Sequence, residues 1–129
     1  MSEQGKRGNV PVWFEIPVSD FDRAVKFYEQ VFEVKLSAQQ IGDTQLAVFP
    51  YRSEQGTTGC VMSGPDLQPG GQGTLVYLNA DPALDPVLDR VWGAGGRIVT
   101  PRTALPPGMG YYASFIDSEG NRVGIHALQ

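Results

Sequence analysis

The chain has 129 residues, enough for one compact domain and short for two independent ones. Apolar residues make up 41% and charged residues 19%, a globular mix that argues against wholesale disorder. Lys and Arg total 10 against 14 Asp and Glu, a formal charge of -4 with no tight cluster of cations, so nucleic acid is not an expected partner.

Residues 1–9 are polar and read as a flexible N-terminal tail without the apolar core of a signal peptide. Residues 10–18 alternate, with Val12, Phe14, Ile16 and Val18 set against Trp13, Glu15 and Pro17, and this predicts a strand. Ser19-Asp20 supplies a helix N-cap, after which Phe21, Ala24, Val25, Tyr28, Val31 and Phe32 recur at helical spacing. Short strands are expected over 36–40 and 45–49, around the turn Gly42-Asp43, and over 58–63 after a polar loop. A Gly- and Pro-rich stretch over 64–73 reads as a linker.

The order then begins again. Residues 74–80 predict a strand, Asp81-Pro82 a cap with Pro in the first turn, and Leu84, Val87, Leu88, Val91 and Trp92 one helical face. Glycines 93, 95 and 96 end that helix, and strands follow over 97–100, 110–117 and 122–127. Phe21, Ala24, Val25 and Tyr28 map onto Leu84, Val87, Leu88 and Val91 at one constant offset, the mark of a repeated strand–helix–three-strand unit. The fold class expected is α+β: a βαβββ module over 10–64, a linker over 65–73 and a second module over 74–128, forming one domain.

One Cys rules out an internal disulfide framework and one His the usual multi-histidine metal sites. No apolar stretch approaches the roughly 20 residues that cross a bilayer. A membrane is therefore not an expected partner, and the cytoplasm is the expected address.

Residues 14–24, FEIPVSDFDRA, with 27–32, FYEQVF, resemble the opening of the vicinal oxygen chelate superfamily. Residues 94–98, AGGRI, and 117–126, DSEGNRVGIH, resemble its closing half. The superfamily includes glyoxalase I, bleomycin-resistance proteins, fosfomycin-resistance transferases and extradiol dioxygenases. The resemblance implies two βαβββ modules whose curved sheets form a cleft, and a homodimer. Its metal-dependent members take ligands from the first and last strand of each module. Those positions fall here on Trp13, Thr74 and Gly124, with Cys60 the one donor near the fourth. Indole has no lone pair for a metal and glycine has no side chain, so no metal or other cofactor is expected.

Because ligand positions face the cleft, strand alternation puts Trp13, Glu15, Met62, Thr74, Val76, Arg122 and His126 along its lining, with either Tyr111 or Tyr112 beside them; Tyr112 is taken as the lining residue. Trp13 suits a planar or apolar ligand, and Glu15 with His126 offers an acid–base pair if the two meet. The expected function is binding of a small, partly apolar or aromatic molecule without metal, as the resemblance to bleomycin-resistance proteins implies. The alternatives are a metal-independent isomerase or lyase using Glu15 and His126, and a metal-dependent lyase of the glyoxalase kind.

Overall fold

The computed structural model describes residues 10–51 and 56–129. The expected tail over 1–9 and the centre of the polar loop before residue 58 lie outside the described residues.

Among the described residues, eight strands and two helices follow the repeated order. The first module comprises β1 (Trp13–Pro17), α1 (Phe21–Phe32), β2 (Ser37–Ile41), β3 (Thr44–Val48) and β4 (Thr58–Ser63). The second comprises β5 (Tyr77–Asn79), α2 (Leu84–Ala94), β6 (Arg97–Ala104), β7 (Tyr111–Ile116) and β8 (Arg122–Ala127). Each module makes one four-stranded sheet, ordered β1-β4-β3-β2 and β5-β8-β7-β6. In both, the first and last strands pair in parallel across the helix, and the remaining pairs are antiparallel.

The first helix forms as its sequence requires. Asp20 caps it, its carboxylate accepting from Arg23 N at 3.1 Å, and Glu33 closes it in the left-handed region. Ala24, Phe27, Tyr28 and Val31 are its buried face. The second helix begins differently from the expected Asp81 cap. Ala83 is its N-cap and offers no side-chain bond, while the Leu84 amide donates to the Gln129 carbonyl at 2.8 Å. Asp81 instead accepts from Leu128 N at 2.9 Å, tying the loop before α2 to the chain after β8. Strand β5 is also shorter than expected, and β6 runs longer, to Ala104, through two register shifts against β7.

The two modules share one core. Phe27 on α1 packs edge-on against Tyr28 at 4.9 Å and reaches across to Phe115 on β7 at 5.8 Å. Arg90 on α2 donates Nε to the Val31 carbonyl in the last turn of α1 at 2.7 Å, which places a cation where that helix end favours one. A polar network joins the modules as well. Asp117 accepts from the buried Tyr28 hydroxyl at 2.6 Å, and Asn121 donates to the Pro17 carbonyl at 2.7 Å. The Tyr28 hydroxyl is held protonated far above its ordinary range, first by burial and then by the Asp117 charge.

Candidate functional site

The helices cover one face of each sheet, and β1 and β5 are edge strands of their sheets. On β1, Phe14 and Ile16 pack into the core, which leaves Trp13 and Glu15 on the open face. The opposing strand β4 obeys the same parity. Gly59 and Val61 meet the core, while Cys60 and Met62 lie in register with Glu15 and Pro17. Only glycine fits at 59, because a Cβ there would run into the Phe14 carbonyl and ring. Trp13 donates its indole N–H to Glu15 Oε2 at 3.2 Å, so the pair expected on this face is in place.

In the second module Val123, Ile125 and Ala127 are buried, and Arg122, Gly124 and His126 take the open face. Tyr112 is paired with His126, whereas Tyr111 packs at the core margin beneath Arg102, whose guanidinium carbon is 3.8 Å from the ring centre. Tyr112 is therefore the tyrosine on the site face. Strand β5 departs from the expected parity. Val76 and Leu78 pack against the core, and Tyr77 presents its ring over Gly124. Tyr77 also meets Tyr112 edge-on at 6.3 Å, an aromatic pair that face reading from the sequence missed.

Two cavities open along the seam between the sheets. One of about 270 Å³ is lined by Glu15, Thr74, Val76 and Arg122 together with Gln72 and Asn121, and Phe14, Ile16 and Val123 supply its apolar wall. Four residues expected at the site thus meet in one hollow. The other, of about 300 Å³, lies between Phe14, Phe49 and Thr58 on one side and Tyr77 and Leu78 on the other. Trp13, Met62, Tyr112 and His126 do not line the first cavity.

Glu15 and His126 are not hydrogen-bonded to each other. His126 Nε2 lies 2.7 Å from the Met109 carbonyl, in the loop between β6 and β7. That loop is itself fastened, with Leu105 N donating to Gly110 O at 2.9 Å and Met109 N to Pro106 O at 3.0 Å.

The donor set does not suit a divalent ion. Gly124 offers no side-chain ligand, and the Tyr77 ring fills the space in front of it. Cys60 is fully buried, and its thiol is pushed up to about 12, first by burial and then by the Glu15 charge, so it stays protonated. Among the described residues no three His, Cys, Asp or Glu side chains gather in a metal-holding group. The Ser114 hydroxyl, buried beside Gly124 without a hydrogen-bond partner, adds a single weak donor atom.

Sequence reasoning also missed Glu119. It lies in the β7–β8 turn, yet its carboxylate accepts from Ser19 N at 3.1 Å, from Asp20 N at 2.8 Å and from Arg23 Nε at 2.6 Å. The turn motif predicted a bend between strands, and nothing local to it pointed to a partner near residue 20.

The fold defines the class, and comparison with known proteins gives the same one. The family model of the Glyoxalase/Bleomycin resistance protein/Dioxygenase superfamily matches residues 11–125, and the chain belongs to that superfamily. Glyoxalase I from Zea mays is 20% identical with a TM-score of 0.64, the alignment covering 90% of this chain and 45% of that one. The present chain thus spans about half the length of the maize protein. A glyoxalase/bleomycin resistance protein from Streptomyces sp. CB03234 is 24% identical with a TM-score of 0.67, over 90% of this chain and 98% of that one. A genomically encoded fosfomycin resistance protein from Listeria monocytogenes is 17% identical with a TM-score of 0.64, over 93% and 90%. At these identities the likeness is one of fold. No curated protein matches the sequence. Among the described residues no helix is long and apolar enough to cross a membrane.

Proposed function

We propose that this protein binds a small, partly apolar or aromatic molecule in the seam cavity, without a metal. The observation that carries the reading is the convergence of Glu15, Thr74 and Arg122 on a hollow of about 270 Å³ with an apolar wall. Ligand sites combine such a wall with a few polar groups, and ordinary ones begin at roughly 300 Å³, so a one-ring ligand suits the space. Binding is favoured over catalysis by Glu15 and His126, because each is engaged by a different group.

The same reading includes a homodimer. Trp13 is 43% exposed and Tyr77 49%, both on open sheet faces where a second copy would bury them. Light scattering at micromolar concentration is expected to give twice the chain mass, and a monomer would remove this part. We place the protein in the cytoplasm, where the free Cys60 thiol stays reduced.

Calorimetric titration with p-cresol, benzamide, 4-methylbenzoate and 4-methylbenzylamine tests the binding. At least one of them is expected to saturate with a Kd below about 1 mM. Failure of all four, and of 4-(aminomethyl)benzoate beside them, to saturate would overturn the proposal. Replacing Val76 by Trp, which fills the hollow, is expected to abolish the heat of whichever compound binds while the far-ultraviolet dichroism stays native.

A further inference from the structure

We infer that the seam cavity takes an amphoteric ligand, with a carboxylate set against Arg122 and an ammonium or similar N–H donor set against Glu15. This rests on the binding reading above and names its ligand class.

The inference starts from how the arginines are used. Arg23 is paired with Glu119 at 2.6 Å, Arg90 with Glu33 at 3.6 Å and Arg102 with Asp85 at 3.2 Å. Arg97 and Arg122 have no such partner among the described residues, and Arg122 is set apart because Glu15 lines the same cavity. Two opposite charges thus line one hollow without forming an ion pair. Glu15 is steadied by the neutral indole N–H of Trp13 at 3.2 Å, which orients the carboxylate and leaves its charge uncompensated. Phe14, Ile16, Val76 and Val123 give the same hollow an apolar wall.

Guanidinium and carboxylate meet in a two-point fork, so a carboxylate is the natural occupant at Arg122. A simple monoanion would still crowd Glu15 and strip its water without replacing it. A simple amine would do the same to Arg122. A molecule charged at both ends, with an apolar body between, satisfies both walls at once. The net charge of -4 adds to the argument, because the protein as a whole repels an anion that brings no positive group.

Three compounds of one shape test this: 4-(aminomethyl)benzoate, 4-methylbenzoate and 4-methylbenzylamine. In calorimetric titrations the first is expected to bind at least about tenfold more tightly than either of the others. Arg122→Gln is expected to remove the advantage over 4-methylbenzylamine and leave that amine no weaker. Glu15→Gln is expected to remove the advantage over 4-methylbenzoate and leave that acid no weaker. Both side chains are exposed, and circular dichroism verifies that the variants fold. Equal affinity for all three compounds, or an advantage that survives both substitutions, overturns the inference. If p-cresol or benzamide binds while the three charged compounds show no order, the inference falls and the binding reading stands. If nothing binds, both fall.

Discussion

Glu119→Ala is expected to destabilise the protein by about 3 kcal/mol in urea unfolding, out of proportion to a residue in a surface turn. Its side chain is 0% exposed, and its two oxygens answer donors from Ser19, Asp20, Arg23 and Ser118. Two of those donors are backbone amides at the start of α1, which has no other partner for them within its own turn. Alanine would strand them and release the turn between β7 and β8 from the first module.

The carboxylate also sets a pH dependence. Burial alone would raise its pKa, but the Arg23 hydrogen bond, the Asp20 amide and the hydroxyls of Ser118 and Ser19 outweigh burial and hold it at about 2. The folded value is thus below the ordinary 4.5, so the contribution is complete above about pH 4.5 and is lost as pH falls through about 2. A shift of this size corresponds to about 3 kcal/mol. The wild-type protein is therefore expected to lose stability steeply between about pH 4.5 and 2, and the Ala variant to lose less over the same window. Parallel pH profiles would contradict this assignment.

Phe27→Ala is expected to cost about 3–5 kcal/mol, the range for emptying a fully buried aromatic site. Phe27 is 1% exposed and belongs to α1, yet it touches Phe115 and sits against Gly96, where an added Cβ would come within 2.8 Å of its ring. The ring therefore stitches the first helix to the second sheet. The exposed neighbour Lys26→Ala should stay within about 0.5 kcal/mol of wild type. The decisive feature is cooperativity. With a shared core, both proteins unfold in a single transition. A variant that loses only half its structure, leaving the second module folded, would show that the cores are separate.

The sequence was legible where structure is local. The spacing of Ala24, Val25, Tyr28 and Val31 behind Asp20 defined α1 and its cap, and the alternation over Trp13, Phe14, Glu15 and Ile16 defined which side of β1 is open. Strands β4 and β8 came out with their bounds as expected. The misreading of β5 has a definite cause. Val18 and Ala80 end their strands equivalently, donating to the carbonyls of Met62 and His126, but α1 is capped two residues later and α2 three. Counting back from Asp81 as though it were the cap moved the register by one, and one residue exchanges the faces of a strand. Val76 was therefore expected in the open, where Tyr77 stands instead.

The rest was not written locally. Glu119 meets Ser19 and Asp20 across about a hundred residues, and a carboxylate in a turn reads as solvated until the partner strand is placed. The lining of the candidate cavity was legible in part, for a physical reason. Parity says which side chains share a face, but the gap between two sheets is set by how α1 and α2 pack, and that decided which of them line one hollow. Glu15, Thr74, Val76 and Arg122 do, while Trp13, Met62, Tyr112 and His126 stand outside it.

The most direct measurement is a titration of isotope-labelled protein with p-cresol and with 4-(aminomethyl)benzoate, followed by amide chemical shifts. The largest changes are expected at Glu15, Thr74, Val76 and Arg122, along the seam between the two sheets. Changes confined to the outer face of α1 around Lys26, or none at saturating compound, would contradict the account.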